Sequence, residues 1–169
     1  MGKTFLYTGS GAGKTTNAIG LAIRAIGHGK KVVIVFFMKG WDQTGEYLVR
    51  EKLSPLYEVR LFGSKGWVDL KNPSDEDRRM AREGLAYAKE KLAERPHLLV
   101  LDEVNLAAAV GLLDTEEVIS LLDEAPEETD VVLTGRHAPP ELINRADFVN
   151  LVSEVKAPKE MYSRLGITY

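Results

Sequence analysis

Short apolar runs alternate along the chain with longer stretches in which apolar residues recur every three or four positions. Thr4-Phe5-Leu6-Tyr7 reads as a first strand. From Lys14 to Ile26 the residues Ile19, Ala22, Ile23 and Ile26 keep helical spacing, and Gly27-His28-Gly29 stops the helix with His28 at its C-terminal cap. Val32 to Phe37 is apolar at every position, as expected of a strand covered on both faces. Tyr57 to Phe62 is a third strand. Asn72-Pro73-Ser74 opens a long helix that ends near Arg95-Pro96, with Ser74 as N-cap and Asp77 completing a shortened capping box. Leu98 to Leu101 is a fourth strand and runs into Asp102-Glu103. Thr115 to Glu124 reads as a helix capped by Thr115, Val131 to Thr134 as a fifth strand, Pro139 to Arg145 as a short helix, and Phe148 to Val152 as a sixth strand.

Strand and helix alternate throughout, and right-handed crossovers then produce a parallel sheet. The expected fold is α/β: a P-loop NTPase-like parallel sheet of five to six strands with helices on both faces. Residues 1–169 form one nucleotide-binding domain, and residues 153–169, with weak periodicity, read as a covering tail. Ligands of such sheets bind at the carboxyl ends of the strands.

Composition narrows the function. A formal net charge of −3 argues against general nucleic-acid binding, which needs a basic surface. The chain has no cysteine, hence no disulfide, thiolate zinc site or cysteine nucleophile. Its apolar runs are too short to span a bilayer and no signal-peptide pattern opens it, so the expectation is a cytoplasmic protein without membrane partners.

The first strand leads into Gly9-Ser10-Gly11-Ala12-Gly13-Lys14-Thr15-Thr16. Glycines let backbone N–H groups turn inward as an anion-binding nest, and the helix that follows adds its positive end. Lys14 supplies a charge for phosphate oxygens, and Thr15 or Thr16 a hydroxyl for magnesium. The common spacing places a glycine five residues before Gly13; here that residue is Thr8 and the glycine is Gly9, so the loop is one residue tighter. The fourth strand ends in Asp102 and Glu103, where P-loop proteins place a second magnesium element, with either acid as the metal contact. On these motifs alone a kinase or ATPase, with Glu103 as base or water-positioner, and a non-catalytic nucleotide-dependent switch both stay open.

Further segments narrow the choice. Tyr7 to Thr16, Arg24 to Gly29, Lys39-Gly40 with Gly45-Glu46, Leu99 to Asn105, and Val132 to Pro139 with Ala146-Asp147 together resemble the ATP:corrinoid adenosyltransferases. The resemblance implies that the cobalt(I) of a reduced corrinoid attacks the 5′ carbon of ATP and expels triphosphate. It implies ATP as co-substrate, magnesium, a corrinoid substrate, a reduced flavoprotein as electron donor and a homodimer. With the P-loop motifs above, the catalytic candidates are Lys14 and Glu103, and the metal candidates are Thr15, Asp102 and Glu103. By the same resemblance Arg24 reaches the phosphates, Arg136 has a nucleotide or a structural role, and Phe62 and Trp67 face the corrinoid. His28 and His137 are imidazoles to watch, and Trp41 is a second candidate for the corrinoid pocket. Two positions depart from the family pattern, with Ser10 for an acid or amide and Ala12 for a lysine.

Overall fold

A computed structural model describes residues 2–66, 68–160 and 162–168. Six strands, β1 (Thr4–Thr8), β2 (Val32–Phe37), β3 (Tyr57–Phe62), β4 (Leu98–Asp102), β5 (Asp130–Thr134) and β6 (Phe148–Leu151), form one sheet in the order β3-β2-β4-β5-β1-β6. Every neighbouring pair is parallel. The helices are α1 (Lys14–Gly27), α2 (Gly45–Leu48), α3 (Arg50–Leu53), α4 (Asp75–Leu92), α5 (Val104–Ala109), α6 (Thr115–Asp123) and α7 (Pro140–Arg145).

The strand order dictates which face each helix covers. From β1 to β2 to β3 the chain moves one way across the sheet; from β3 to β4, β5 and β6 it moves back. Right-handed crossovers in opposite directions must lie on opposite faces. Accordingly, Ala18 and Ala22 of α1 pack with Val32, Ile34 and Phe36. On the other face Ala81 and Leu85 of α4, Val118 and Leu121 of α6 and Leu142 of α7 pack with Val33, Val35 and Phe37. Strand β2 alternates between the two cores, which is why all six of its residues are apolar and buried. Burial of each such side chain stabilises by roughly 1.5–3 kcal/mol.

Two helix ends illustrate the local code. Ser74 caps α4: its hydroxyl accepts from the Asp77 N–H at 3.1 Å while the Asp77 carboxylate accepts from the Ser74 N–H, also at 3.1 Å. Thr115, by contrast, is the first residue of α6 rather than its cap. Asp114 caps instead, its carboxylate accepting from the Glu116 N–H at 3.1 Å. An aspartate one residue earlier reaches the second N–H of the helix, and Thr115 is left inside the first turn.

The register brings the functional ends level. Leu101 pairs with Leu133, Tyr7 with Thr134, and Phe36 with Asp102. Loops leaving β1, β2, β4 and β5 therefore emerge side by side at the carboxyl edge.

Candidate active site

Gly13 caps α1 at φ 105°, a conformation that costs glycine little. Gly11 has a different role. Its N–H donates to the Val152 carbonyl at 2.9 Å, and a Cβ on it would stand 2.9 Å from the Ser153 backbone. The loop thus leans on the segment that leaves β6, and one N–H counted for the anion nest is spent on Val152. Lys14 is almost fully buried, and its Nζ donates to the Gly11 carbonyl at 2.7 Å. Burial pulls the Lys14 ammonium below its ordinary range; Arg136 adds to the fall, and Glu103 and Asp102 oppose it.

Three strand ends converge beside this loop. Asp102 is wholly buried. Its Oδ1 accepts from the Thr134 hydroxyl at 2.6 Å, and its Oδ2 accepts from Lys39 Nζ at 2.6 Å. The same Nζ lies 3.4 Å from Thr15 Oγ1. Burial works against the Lys39 charge, but Asp102, with Glu103 and Glu46 behind it, more than offsets that and holds the ammonium above its ordinary range. Glu103 sits at φ 63°, donates its N–H to Thr134 Oγ1 at 3.0 Å, and keeps a buried Oε2 with no hydrogen-bond partner. Burial, then the Asp102 charge, raises the Glu103 carboxyl above the usual carboxylate range.

Lys39 is delivered by a locked pair of loops. Met38 takes φ 56°, unusual for a non-glycine residue. A Cβ on Gly40 would lie 2.4 Å from the Gly63 carbonyl oxygen, and one on Gly63 would lie 2.4 Å from the Lys39 nitrogen. Only glycines permit this crossing of the loops after β2 and β3.

Two cavities open here. One, of about 690 Å³, is lined by Gly11 to Thr16, Thr44 to Glu46 and the tail residues Gly166, Ile167 and Thr168. The other, of about 360 Å³, has an apolar wall of Met38, Val68, Leu70 and Leu106, with His137 at its rim. Lys39, Glu103 and Arg136 line both.

The residues singled out in the sequence divide accordingly. Gly11, Ala12, Gly13, Lys14, Thr15, Thr16, Glu103 and Arg136 come together around the larger cavity, and Asp102 lies buried just behind it. Gly9 and Ser10 lie outside its lining. Arg24 stands ten residues after Lys14 on α1, about 15 Å along the helix. It lines a separate cavity of about 490 Å³ at the amino ends of the strands, with His28, His97 and Asp130. Phe62 turns toward α4: its ring lies 5.5 Å from that of Tyr87, and a Cβ on Gly84 would stand 3.0 Å from it. Trp41 is mostly exposed and its indole N–H donates to the Lys65 carbonyl at 2.9 Å. Trp67 lies outside the described residues. His28 forms the C-cap of α1. Lys39 and Thr134 carried no assigned role in the sequence; their signal was position, just beyond β2 and at the end of β5 on the ligand edge.

The donor set fits magnesium. That ion takes one or two carboxylates and completes its shell with water and substrate phosphates. A cationic group already stands between the Thr15 hydroxyl and the Asp102 carboxylate. Among the described residues no cluster of three His, Asp or Glu forms a full protein cage. No helix among the described residues is long and apolar enough to cross a membrane.

The profile of one protein family, described as "ATP:corrinoid adenosyltransferase BtuR/CobO/CobP", matches residues 1–169. A corrinoid adenosyltransferase of Escherichia coli K12 is 36% identical over 171 aligned residues, covering 99% of this chain and 86% of that protein. The corrinoid adenosyltransferase of Salmonella typhimurium LT2 is 34% identical, with 99% and 86% covered. That of Pseudomonas aeruginosa PAO1 is 34% identical, with 92% and 76% covered.

Proposed function

The chain belongs to the ATP:corrinoid adenosyltransferase family, and on that premise we propose how its two cavities divide the work. The larger, glycine-lined cavity takes ATP, with the triphosphate against Gly11 to Thr16. The apolar wall of Met38, Val68, Leu70 and Leu106 takes the reduced corrinoid. The observation that carries this reading is the common boundary: Lys39, Glu103 and Arg136 line both cavities. A nucleophile in one then meets a leaving group in the other across a single charged partition.

The cobalt(I) of the corrinoid substrate supplies an electron pair to the ribose 5′ carbon. The bond from that carbon to oxygen breaks, and the oxygen departs with the triphosphate. No phosphoryl group moves, so the leaving group's charge is what the protein must stabilise. Lys14, Lys39 and Arg136 are the cations at hand. Thr15, Asp102 and Glu103 are the residues that would hold magnesium, whose chemistry there is to neutralise the departing triphosphate. The apolar wall keeps water from the reduced cobalt, and the locked Lys39 loop fixes the distance between the two substrates.

The electron for the corrinoid comes from an external donor, a reduced flavoprotein, on the strength of the family resemblance alone. Exposed Phe148, Val149 and Leu151 on the edge strand β6 support a homodimer in which a second copy covers them.

An anaerobic reaction of the protein with magnesium-ATP and chemically reduced cob(I)alamin tests the reading. Loss of the cobalt(I) spectrum, a light-sensitive adenosylated corrinoid and an equal amount of triphosphate are expected. Release of ADP without adenosylcorrinoid would overturn it.

A further inference from the structure

Asp102 has both carboxylate oxygens engaged. Oδ1 accepts from Thr134 and Oδ2 from Lys39, each at 2.6 Å. Each oxygen keeps a further lone pair, but the space beside Oδ2 is held by an ammonium that repels an arriving cation. The partner that stands in the way is itself positively charged, and its Nζ also approaches Thr15 Oγ1, the other donor of the metal set. The side chain of Lys39 keeps about a third of its exposure, 32%, while Asp102 keeps none. The lysine can therefore swing into the larger cavity, whereas the aspartate is fixed by Thr134 and the sheet.

Lys39 is also placed to make that swing useful. It lines the cavity in which Gly11 to Thr16 lie. The interlocked Gly40 and Gly63 and the positive φ of Met38 fix its backbone, so only its flexible stem moves. At position 12, inside the loop, the side chain is alanine and brings no charge.

We propose that Lys39 is a placeholder cation: in the nucleotide-free protein its ammonium holds Thr15 and Asp102 in the arrangement of a divalent-cation site, and it transfers to the triphosphate when nucleotide enters. Asp102 is released to a metal only at that moment, so metal uptake is coupled to nucleotide. A purely structural ion pair would keep Lys39 on Asp102 throughout. The inference rests on the reading that Thr15 and Asp102 hold the metal.

Two binding measurements without corrinoid test it. The first is Mn2+ titration of the nucleotide-free protein, followed by electron paramagnetic resonance. Lys39→Met and Lys39→Gln should each bind Mn2+ at least tenfold more tightly than the native protein, and Lys39→Met/Asp102→Asn should lose that gain. The second is inorganic tripolyphosphate binding without metal, compared between Asp102→Asn and Lys39→Met/Asp102→Asn. Neither variant retains the Asp102 carboxylate, so neither strands it without its cation, and both should fold. The double variant should bind tripolyphosphate at least tenfold more weakly. Unchanged Mn2+ affinity in both single Lys39 variants, a gain that survives loss of Asp102, or equal tripolyphosphate affinity in the second pair would each overturn the proposal. Failure of adenosyl transfer would not change either titration, so the two readings fall separately.

Discussion

The Thr134 hydroxyl accepts from the Glu103 N–H and donates to Asp102 Oδ1, so one side chain orients both acids of the site. Replacing it by valine keeps the shape and strands two buried polar groups. An unsatisfied buried group costs about 1–3 kcal/mol. Thr134→Val should lower the unfolding free energy from urea titration by about 2–6 kcal/mol for the two groups together, and Thr134→Ser, which keeps the hydroxyl, should recover most of it. Trp67 is assigned to the corrinoid by the resemblance. Trp67→Ala should slow corrinoid turnover while ATP binding by calorimetry is unchanged; equal loss of both would mark a structural tryptophan. At this scale the sequence revealed what is contiguous. The loop from Gly9 to Thr16 and the pair Asp102-Glu103 were legible because neighbours in the chain are neighbours in the site. Lys39 and Thr134 were not, because only the order and register of β2, β4 and β5 bring them to Asp102. Arg24 was matched by its segment, yet ten helical residues carry it to the far end of α1.

Among elements, the phosphate loop and the end of β6 behave as one piece. Gly11→Ala would drive a Cβ into the Ser153 backbone and strain the bond from its N–H to Val152. We expect a raised KM for ATP together with faster amide exchange around residues 152 and 153. Gly13→Ala strains φ but meets nothing, so it should spare that exchange. Strand β3 and helix α4 are joined by Glu58, whose Oε1 accepts from Tyr87 at 2.6 Å and lies 2.7 Å from Lys91 Nζ. Burial opposes ionisation of Glu58, but those bonds and the charges of Lys91 and Lys31 outweigh it and hold the carboxyl below 4.5. A depressed carboxyl stabilises the fold above its unfolded value and loses that contribution as pH falls through its folded value. Glu58→Gln should therefore lower the unfolding free energy at pH 7, by under about 1 kcal/mol for a partly exposed site. The difference from the native protein should shrink below pH 4.5 and vanish in stronger acid. The strands and long helices were legible in the sequence because their periodicity runs for a full element. Helices α2, α3 and α5, of four, four and six residues, are too short to show a period.

On the scale of the whole molecule, the C-terminal tail supplies part of the wall of the larger cavity. Gly166, Ile167 and Thr168 line it, although Ile167 and Leu165 remain largely exposed. The tail is a strap with little burial of its own, so its removal should leave the fold intact. Truncation after residue 160 should keep Tm within a degree or two and weaken ATP binding several-fold in calorimetry. A large fall in Tm would instead make the tail part of the core.

The partition formed by Lys39, Glu103 and Arg136 has one more consequence. Charge placed on either side of it acts on the same three side chains, so occupancy of one cavity alters the free energy of filling the other. Such coupling is reciprocal: whatever factor nucleotide applies to the affinity for corrinoid, corrinoid must apply to the affinity for nucleotide. The partition is thus a point of negotiation between the two substrates, and the order in which they arrive can change rates but not the stability of the assembled ternary complex.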